Sequence, residues 1–295
     1  MKAFSFLTIC FYSITFSFGQ VNEDPFRYNK NDILLYNIGI GAIFGGVGAL
    51  VNKKDAEEWH KVFLKGFGQG ALGGYVVYES KSLLRHLSKQ QDLSFALYAK
   101  GVNSIGVSII ENATSNRNFW EVWHINFGFN RFEIHTENNF KFYYKFMPIS
   151  FLFNSYLLSQ YTFRPRETIL TGEFVFRGNV LENVGYNGFA FGHSLVYDSS
   201  FQNSLGFHTL ISHEIVHVYQ NYDFNPINQI LNDPLVKLTN KSVFLKKLNN
   251  YIYYDLNVPL YGIVYNLESL GSDSIYNNFF EFEAYYFSRD LDRFR

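Results

Sequence analysis

The segment at residues 210–222, LISHEIVHVYQNY, restricts the fold of this chain more than any other stretch. Four of its apolar residues are spaced three or four positions apart and would form one stripe along a helix: Ile211, Ile215, Val218 and Tyr222. His213 and His217 are four positions apart and would lie together on the opposite face. The pattern predicts a helix that packs on a core through one side and presents two imidazoles on the other.

These two histidines belong to an H-E-x-x-H motif that also contains Glu214. Zinc accepts imidazole nitrogen readily, and a catalytic zinc keeps one coordination position open for water. Glu214 lies about 100° around the helix from His213, where it can act as a general base on that water instead of binding the metal. Two ordinary surface histidines are the alternative, but a chance H-E-x-x-H is expected in only roughly one such chain in a hundred. We therefore predict a Zn²⁺ site with His213 and His217 as ligands and Glu214 as the catalytic base.

A catalytic zinc needs a third protein ligand, and three carboxylates compete for that role. Asp223 stands where an extended form of the motif places a ligand, but Gln220 replaces the glycine that would supply the sharp turn. Glu281 and Glu283 belong to a last predicted helix at residues 276–290 and lie about 200° apart on it. Glu283 shares its face with aromatic residues, where a carboxylate is costly unless it is paired or bound to a metal, whereas Glu281 is expected to be exposed. Glu283 is therefore the expected third ligand.

Length and composition restrict the class of protein. The chain has 295 residues, enough for one large domain or two small ones. Its formal net charge of −1 argues against a nucleic-acid-binding surface. Aromatic residues make up 20% of the chain, which suits either a sheet-rich core or a surface that contacts a membrane.

The N-terminus, MKAFSFLTICFYSITFSFGQ, has one lysine, an apolar run and then small residues. This pattern favours a secretory signal peptide at residues 1–19 over a first transmembrane helix. The protein is then exported and is periplasmic, envelope-associated or secreted. Cys10 is the only cysteine, so the mature chain would have neither disulfides nor thiolate ligands. Any metal site must use histidine and carboxylate side chains.

Residues 20–118 are predicted to form a glycine-rich helical region. The apolar segments 33–51 and 62–78 carry glycines four positions apart, a spacing that lets two helices approach closely. We expect them to form a helical hairpin packed glycine to glycine, followed by a third helix at residues 94–112. Two interpretations remain open: a soluble hairpin beneath the rest of the protein, or a hairpin inserted in a membrane through residues 33–78.

Residues 119–184 are predicted to be an antiparallel β region. Apolar and polar residues alternate through 119–146 with turn signals between the runs, which indicates a meander. There is too little alternating sequence for an outer-membrane barrel. A further strand is expected at residues 168–176. His124 and His135 lie in these strands and are expected to be packed or surface residues instead of ligands.

Residues 185–295 form the predicted metal-binding region. A glycine-rich turn and a short strand at residues 194–197 precede the metal helix. Pro226 is expected to end that helix, and a further helix is expected at residues 240–254. Pro234 and Pro259 are expected to be breaks. The predicted fold class is therefore α+β, with a helical hairpin, a meander and a helical metal site beside an edge strand.

The sequence HEIVHVYQ and the later FEFEAYYFS together resemble the gluzincin branch of the zincin metallopeptidases. The resemblance covers roughly residues 185–290. It implies a zinc-dependent peptidase with His213, His217 and Glu283 as ligands and Glu214 as the base. It also implies an edge strand, near residues 194–197, that pairs with an extended peptide or protein substrate. The family's stabiliser of the tetrahedral intermediate is not assigned, with His193, Tyr285 and Tyr286 as candidates. Many relatives have Asp where this chain has Phe287. The alternative function is a non-catalytic envelope protein with a structural or relic metal site.

Overall fold

The computed structural model describes residues 28–137, 139–180, 186–231, 242–272 and 277–289. Its fold is α+β, as the sequence predicts. The described part of the chain begins with three helices: α1 (Lys30–Val51), α2 (Trp59–Gln90) and α3 (Ser94–Thr114). The predicted signal peptide lies outside the described residues.

Glycines allow α1 and α2 to pack backbone against backbone. A Cβ atom added at Gly41 or Gly45 would overlap the carbonyl oxygen of Gly70 or Gly66, respectively, on the other helix. The predicted glycine-to-glycine hairpin is confirmed. The third helix packs on α2 in the same way, because a Cβ atom at Gly73 would come within 2.7 Å of the carbonyl oxygen of Gly106.

Among the described helices, α1 is long and apolar enough to cross a membrane, but half of its apolar window is buried inside the protein (50%). Its glycine face is used against α2 and α3. The outer face of α2 exposes large apolar side chains, among them Leu64, Phe67 and Leu72. A buried core helix and a helix in a membrane would both show these features, so insertion of residues 33–78 in a membrane stays a prediction.

The meander is confirmed as a three-stranded antiparallel sheet of β1 (Val122–Phe127), β2 (Asn130–His135) and β3 (Lys141–Phe146). Its register pairs His124 with Glu133 and Phe132 with Tyr144.

A second sheet begins after α4 (Pro148–Gln160) and contains strands β4 to β7 in the order β4-β5-β7-β6. The strands are β4 (Thr162–Phe163), β5 (Phe174–Gly178), β6 (Gly188–Phe191) and β7 (Ser194–Asp198). The pairing of β5 with β7 is parallel, and that of β6 with β7 is antiparallel.

The strand predicted at residues 168–176 is wrong in its first half. Residues Pro165–Thr171 form a short helix, α5, and the strand begins only at Phe174. Pro165 suits the first turn of a helix because its missing N–H would have no partner there. Gly172 ends the helix in the left-handed conformation, with φ at 74°.

The strand predicted at the sheet edge is also misplaced. The predicted strand at residues 194–197 exists as β7, but it lies between β5 and β6 and all of its residues are buried. The edge strand on this side is β6, which precedes β7 in the chain. The glycine-rich sequence around Gly188 reads as a turn, and the antiparallel pairing of β6 with β7 converts part of it into a strand.

The helix predicted to bind the metal is α6 (Phe207–Asp223), and it lies at the centre of the main core. Its predicted apolar stripe is buried, with Ile211, Ile215 and Val218 fully enclosed. Core residues come from α1, α2 and α3, from β5 and β7, and from α9, so one core joins the first and the last of the described helices. The boundaries of the three predicted regions stay a prediction.

The described residues after α6 include α7 (Val243–Leu248), α8 (Asn257–Leu270) and α9 (Phe279–Ser288). The helix predicted at residues 240–254 is therefore shorter than expected. The break predicted at Pro259 is wrong, because Pro259 lies within the first turn of α8, where a helix tolerates proline. Pro234 lies outside the described residues.

Candidate metal centre

The two histidines of the motif lie side by side on α6, as the helix prediction requires. The Nε2 atoms of His213 and His217 are 3.1 Å apart. The side chain of Glu281 on α9 completes a triangle with them. One carboxylate oxygen lies 3.3 Å from His213 Nε2, and the other lies 3.3 Å from His217 Nε2.

These separations fit a zinc ion. Zinc binds imidazole nitrogen and carboxylate oxygen at about 2.0–2.2 Å, so two donors of a tetrahedral site lie about 3.3–3.6 Å apart. The three donor atoms of His213, His217 and Glu281 come together within 4.8 Å of one another. All three side chains are mostly buried. The residues present therefore fit Zn²⁺ with three protein ligands.

The third member of this triangle is Glu281, whereas the sequence favoured Glu283. The expectation that Glu281 would be exposed is wrong, since only 6% of its surface is accessible. The face of α9 that carries Glu281 packs towards α6 and α8, not towards solvent. The structure does not bring Glu283 to the two histidines.

Glu283 is fully buried, as expected, but its partner is a cation of the chain. Lys81 Nζ lies 3.1 Å from Glu283 Oε2 and 2.7 Å from Asp223 Oδ2. Asn37 Nδ2 donates a hydrogen bond of 2.6 Å to Glu283 Oε1. Asp223, the other local candidate for a ligand and the last residue of α6, is therefore held in the same cluster and not in the triangle.

The triangle pairs the Glu281 carboxylate with a proton on His217, and a metal ion would have to replace that proton. Burial raises the pKa of Glu281, but the neighbouring His217 and His213 outweigh burial and hold it well below its usual range. Burial lowers the pKa of His217, yet the carboxylates of Glu281 and Glu214 raise it to about 9. The pKa of His213 is lowered, mainly by burial. The carboxylate is thus ionised beside two imidazoles.

Glu214 is buried next to the triangle and lines the same cavity. Its Oε2 atom has no hydrogen-bond partner among the described residues. Burial raises the pKa of Glu214 to about 8. Gly188 on β6 provides the room for this carboxylate, because a Cβ atom there would come within 3.0 Å of Glu214 Oε1. An unpartnered buried carboxylate aimed into a cavity is what a general base requires.

Three further residues surround the triangle, and none of them was predicted as a site residue. Tyr265 on α8 donates a hydrogen bond of 2.6 Å to Glu281 Oε1. Tyr261, one turn earlier, donates to Gln220 Oε1 at 2.8 Å. Gln220 Oε1 also lies 2.8 Å from His217 Nδ1. Tyr261 and Tyr265 are four positions apart, a spacing that would place them on one face of a helix. This spacing was the sequence signal for their position, but it follows the break predicted at Pro259.

The triangle opens into a cavity of about 820 Å³. Pockets of about 300–1,000 Å³ are typical of small-molecule sites. One wall is the edge strand β6, and the others come from α6, α8 and α9. Several lining residues are aromatic: Phe189, Phe191, Phe201, Tyr265 and Tyr285.

The other candidate histidines and tyrosines differ in whether they reach the cavity. Of the candidates for stabilising a tetrahedral intermediate, Tyr285 lies in the cavity wall with its ring 4.6 Å from that of His213. Tyr286 packs under Arg85, and His193 is fully buried with Nδ1 at 3.0 Å from the carbonyl oxygen of Gly128. His124 is packed against Ser108, and neither it nor His135 approaches the metal triangle.

Compared with known proteins, the chain matches no family model, no curated protein and no solved structure.

Proposed function

We propose that this protein is a zinc-dependent hydrolase that cleaves peptide bonds, with His213, His217 and Glu281 as metal ligands and Glu214 as the general base. The observation that carries the proposal is the triangle of donor atoms at 3.1–3.3 Å beside the unpartnered carboxylate of Glu214. A structural zinc site needs only ligands. The buried carboxylate is therefore better explained by catalysis than by a structural or relic site.

Zinc held by these ligands would supply a Lewis acid that polarises a carbonyl group and lowers the pKa of water. The residues of the chain supply the proton transfers. Glu214 accepts a proton from the attacking water and passes it to the leaving amine. Burial raises the pKa of Glu214 to about 8, and a zinc ion beside it would lower that pKa, so that the side chain is ionised when it accepts the proton.

A peptide is the substrate class that the cavity favours. Strand β6 pairs with β7 on one side and borders the cavity, through residues 188–191. An extended peptide can add to such an edge by main-chain hydrogen bonds while its side chains enter neighbouring pockets. The aromatic walls of the cavity would accept apolar side chains. Export to the periplasm, the envelope or the exterior stays a prediction from the N-terminal sequence.

The test is the zinc content and peptide hydrolysis of purified protein, measured for the native chain and for Glu214→Gln. One zinc per chain in both proteins, with hydrolysis of apolar peptides only by the native chain, is the expected result. A native chain that binds no zinc after metal addition would disprove the proposal. Equal hydrolysis by both proteins would disprove the role of Glu214.

A further inference from the structure

His217 places its two ring nitrogens in different environments. Nε2 faces His213 and Glu281, while Nδ1 lies 2.8 Å from Gln220 Oε1. A neutral imidazole carries one proton, and the nitrogen that binds a metal must be the one without it. His217 can therefore bind a metal through Nε2 only when its proton is on Nδ1, where Gln220 Oε1 accepts it.

The orientation of the Gln220 amide is fixed by the groups around it. Its Nε2 atom donates to the main-chain oxygen of Phe280 at 2.8 Å and to Glu283 Oε2 at 2.9 Å. Both of these partners accept hydrogen bonds only. Its Oε1 atom accepts from the Tyr261 hydroxyl at 2.8 Å, which leaves the same oxygen directed at His217. Hydrogen-bond partners distinguish the oxygen of an amide from its nitrogen, and here they all indicate the same orientation of Gln220.

The Glu283 carboxylate accepts hydrogen bonds from Lys81, Asn37 and Gln220. Burial alone would lower the pKa of Lys81, but the carboxylates of Asp223 and Glu283 raise it. Lys81 Nζ lies 3.1 Å from each Glu283 oxygen, and Asn37 donates to one of them. Every neighbour of the Glu283 carboxylate is thus a donor, and the hydrogen on the Gln220 side can come only from Gln220.

We propose that Glu283 is a positioning residue for the metal ligand His217 and acts through Gln220: the Lys81–Glu283 pair orients the Gln220 amide, which selects the imidazole tautomer that frees Nε2. This inference rests on the proposed metal site. Glu283, the carboxylate expected to bind zinc, is instead connected to the ligand His217 through two hydrogen bonds, both made by Gln220. The reverse amide orientation would direct N–H groups at His217 Nδ1, and the proton of the ring would then lie on Nε2, inside the triangle.

Two substitutions separate positioning from simple packing. Glu283→Gln and Asp223→Asn each replace one buried carboxylate beside Lys81 by an amide of the same shape. Of these two carboxylates, Glu283 is the one that accepts a hydrogen bond from Gln220, so Asp223→Asn is the matched control. Gln220→Met removes the acceptor for His217 directly and keeps the length of the side chain. If both carboxylate variants fail to fold, Gln220→Met becomes the variant that decides the test.

The readouts are the zinc dissociation constant, by competition with a chelator, and the His217 tautomer, by ¹⁵N NMR of histidine-labelled protein. Tautomers are measured with zinc bound and also in metal-free protein at pH 10, where the ring is neutral. We expect zinc affinity to fall about 10–100-fold in Glu283→Gln and Gln220→Met, with proton signal appearing on Nε2 in the metal-free variants. Asp223→Asn should keep the native tautomer and bind zinc within about twofold of the native chain.

Native tautomer and affinity in Gln220→Met, or an equal loss of affinity in Asp223→Asn, would overturn the positioning role. If the native chain binds no zinc, the proposed function fails. The metal-free spectra at pH 10 still decide whether Gln220 and Glu283 set the tautomer of His217, so the two failures are distinguishable.

Discussion

Glu281 and Glu283 lie two positions apart on α9, and their carboxylates face opposite partners. Glu281 Oε1 is 3.3 Å from His217 Nε2, whereas Glu283 Oε2 is 3.1 Å from Lys81 Nζ. About half a turn of helix thus separates a carboxylate that faces two imidazoles from a carboxylate that is already paired with a lysine. Only the first is available to an added metal ion.

Removing the carboxylate charge of Glu281 is expected to abolish tight zinc binding. Glu281→Gln keeps the shape of the side chain but loses the anionic ligand that zinc prefers. The zinc dissociation constant should rise more than about 100-fold, beyond the range typical of outer-shell partners. Equilibrium dialysis against a chelator, followed by metal analysis, measures the change. Glu283→Gln is the comparison and should still bind one zinc per chain at saturating metal. The reverse order of affinities would restore Glu283 as the ligand.

Glu214→Gln is expected to separate binding from chemistry. Its carboxylate is not among the three ligand donors, so the zinc content should not change. Loss of a general base typically costs about 10²–10⁴-fold in rate. Hydrolysis of a fluorogenic apolar peptide by the zinc-loaded variant should fall by that factor with KM nearly unchanged. A variant that loses its zinc would instead identify Glu214 as a ligand.

The hydroxyl of Tyr265 is expected to orient Glu281. Tyr265→Phe removes only the hydrogen bond of 2.6 Å to Glu281 Oε1. Outer-shell partners of this kind are worth about 10–100-fold in metal affinity. Isothermal titration of metal-free protein with zinc measures the loss. Tyr254→Phe, which removes a hydroxyl that bonds to Asn249, serves as the control and should leave zinc affinity unchanged. Equal affinities in all three proteins would show that Glu281 needs no such support.

Periodicity along the chain was enough to predict α6 and the glycine hairpin. An apolar stripe such as Ile211 to Tyr222 reports which side of a helix is buried, and glycines four apart report close helix contact. Both features arise within one segment, so a single sequence contains them.

The choice between Glu281 and Glu283 depended on information that a helical wheel does not hold. The wheel correctly placed Glu283 on a buried face, where a carboxylate must be paired or metal-bound. Its partner, Lys81, lies 202 positions earlier in the chain, on another helix. Strand order was hidden for the same reason: nothing local distinguishes the inner strand β7 from the edge strand β6. Contacts between distant segments of the chain determine both the partner of Glu283 and the order of the strands.

The glycine contacts of the hairpin should be measurable as stability. Gly45→Ala places a methyl group against the backbone of Gly66 on α2, and the helices must separate. Overpacking of this kind costs about 1–3 kcal/mol. Gly68→Ala is the matched control, because an added Cβ atom there has no neighbour within 4 Å. It should instead stabilise α2 by about 0.5–1 kcal/mol. Urea unfolding curves give both values, and equal effects would show that the helices do not pack through Gly45.

His193 is expected to make the fold sensitive to acid. Burial lowers its pKa to about 3, so the folded protein keeps the ring neutral. The unfolded chain binds a proton near pH 6.5. Between these two values the unfolded state holds more protons, and stability falls as the pH falls, by up to about 1.4 kcal/mol per pH unit for this group. The stability that neutral His193 provides is therefore complete above about pH 6.5 and is lost progressively towards pH 3.

The pH dependence of the free energy of unfolding, not its absolute value, tests the role of His193. His193→Gln keeps a donor for the main-chain oxygen of Gly128 but cannot titrate. The free energy of unfolding, measured with urea at pH 7.5, 6 and 5, should depend less steeply on pH in the variant than in the native chain. The difference between the two proteins should change by about 1.4 kcal/mol between pH 6 and pH 5. His60→Gln at the exposed surface should keep the native slope. Parallel curves for His193→Gln and the native chain would mean that His193 is accessible to protons in the folded state.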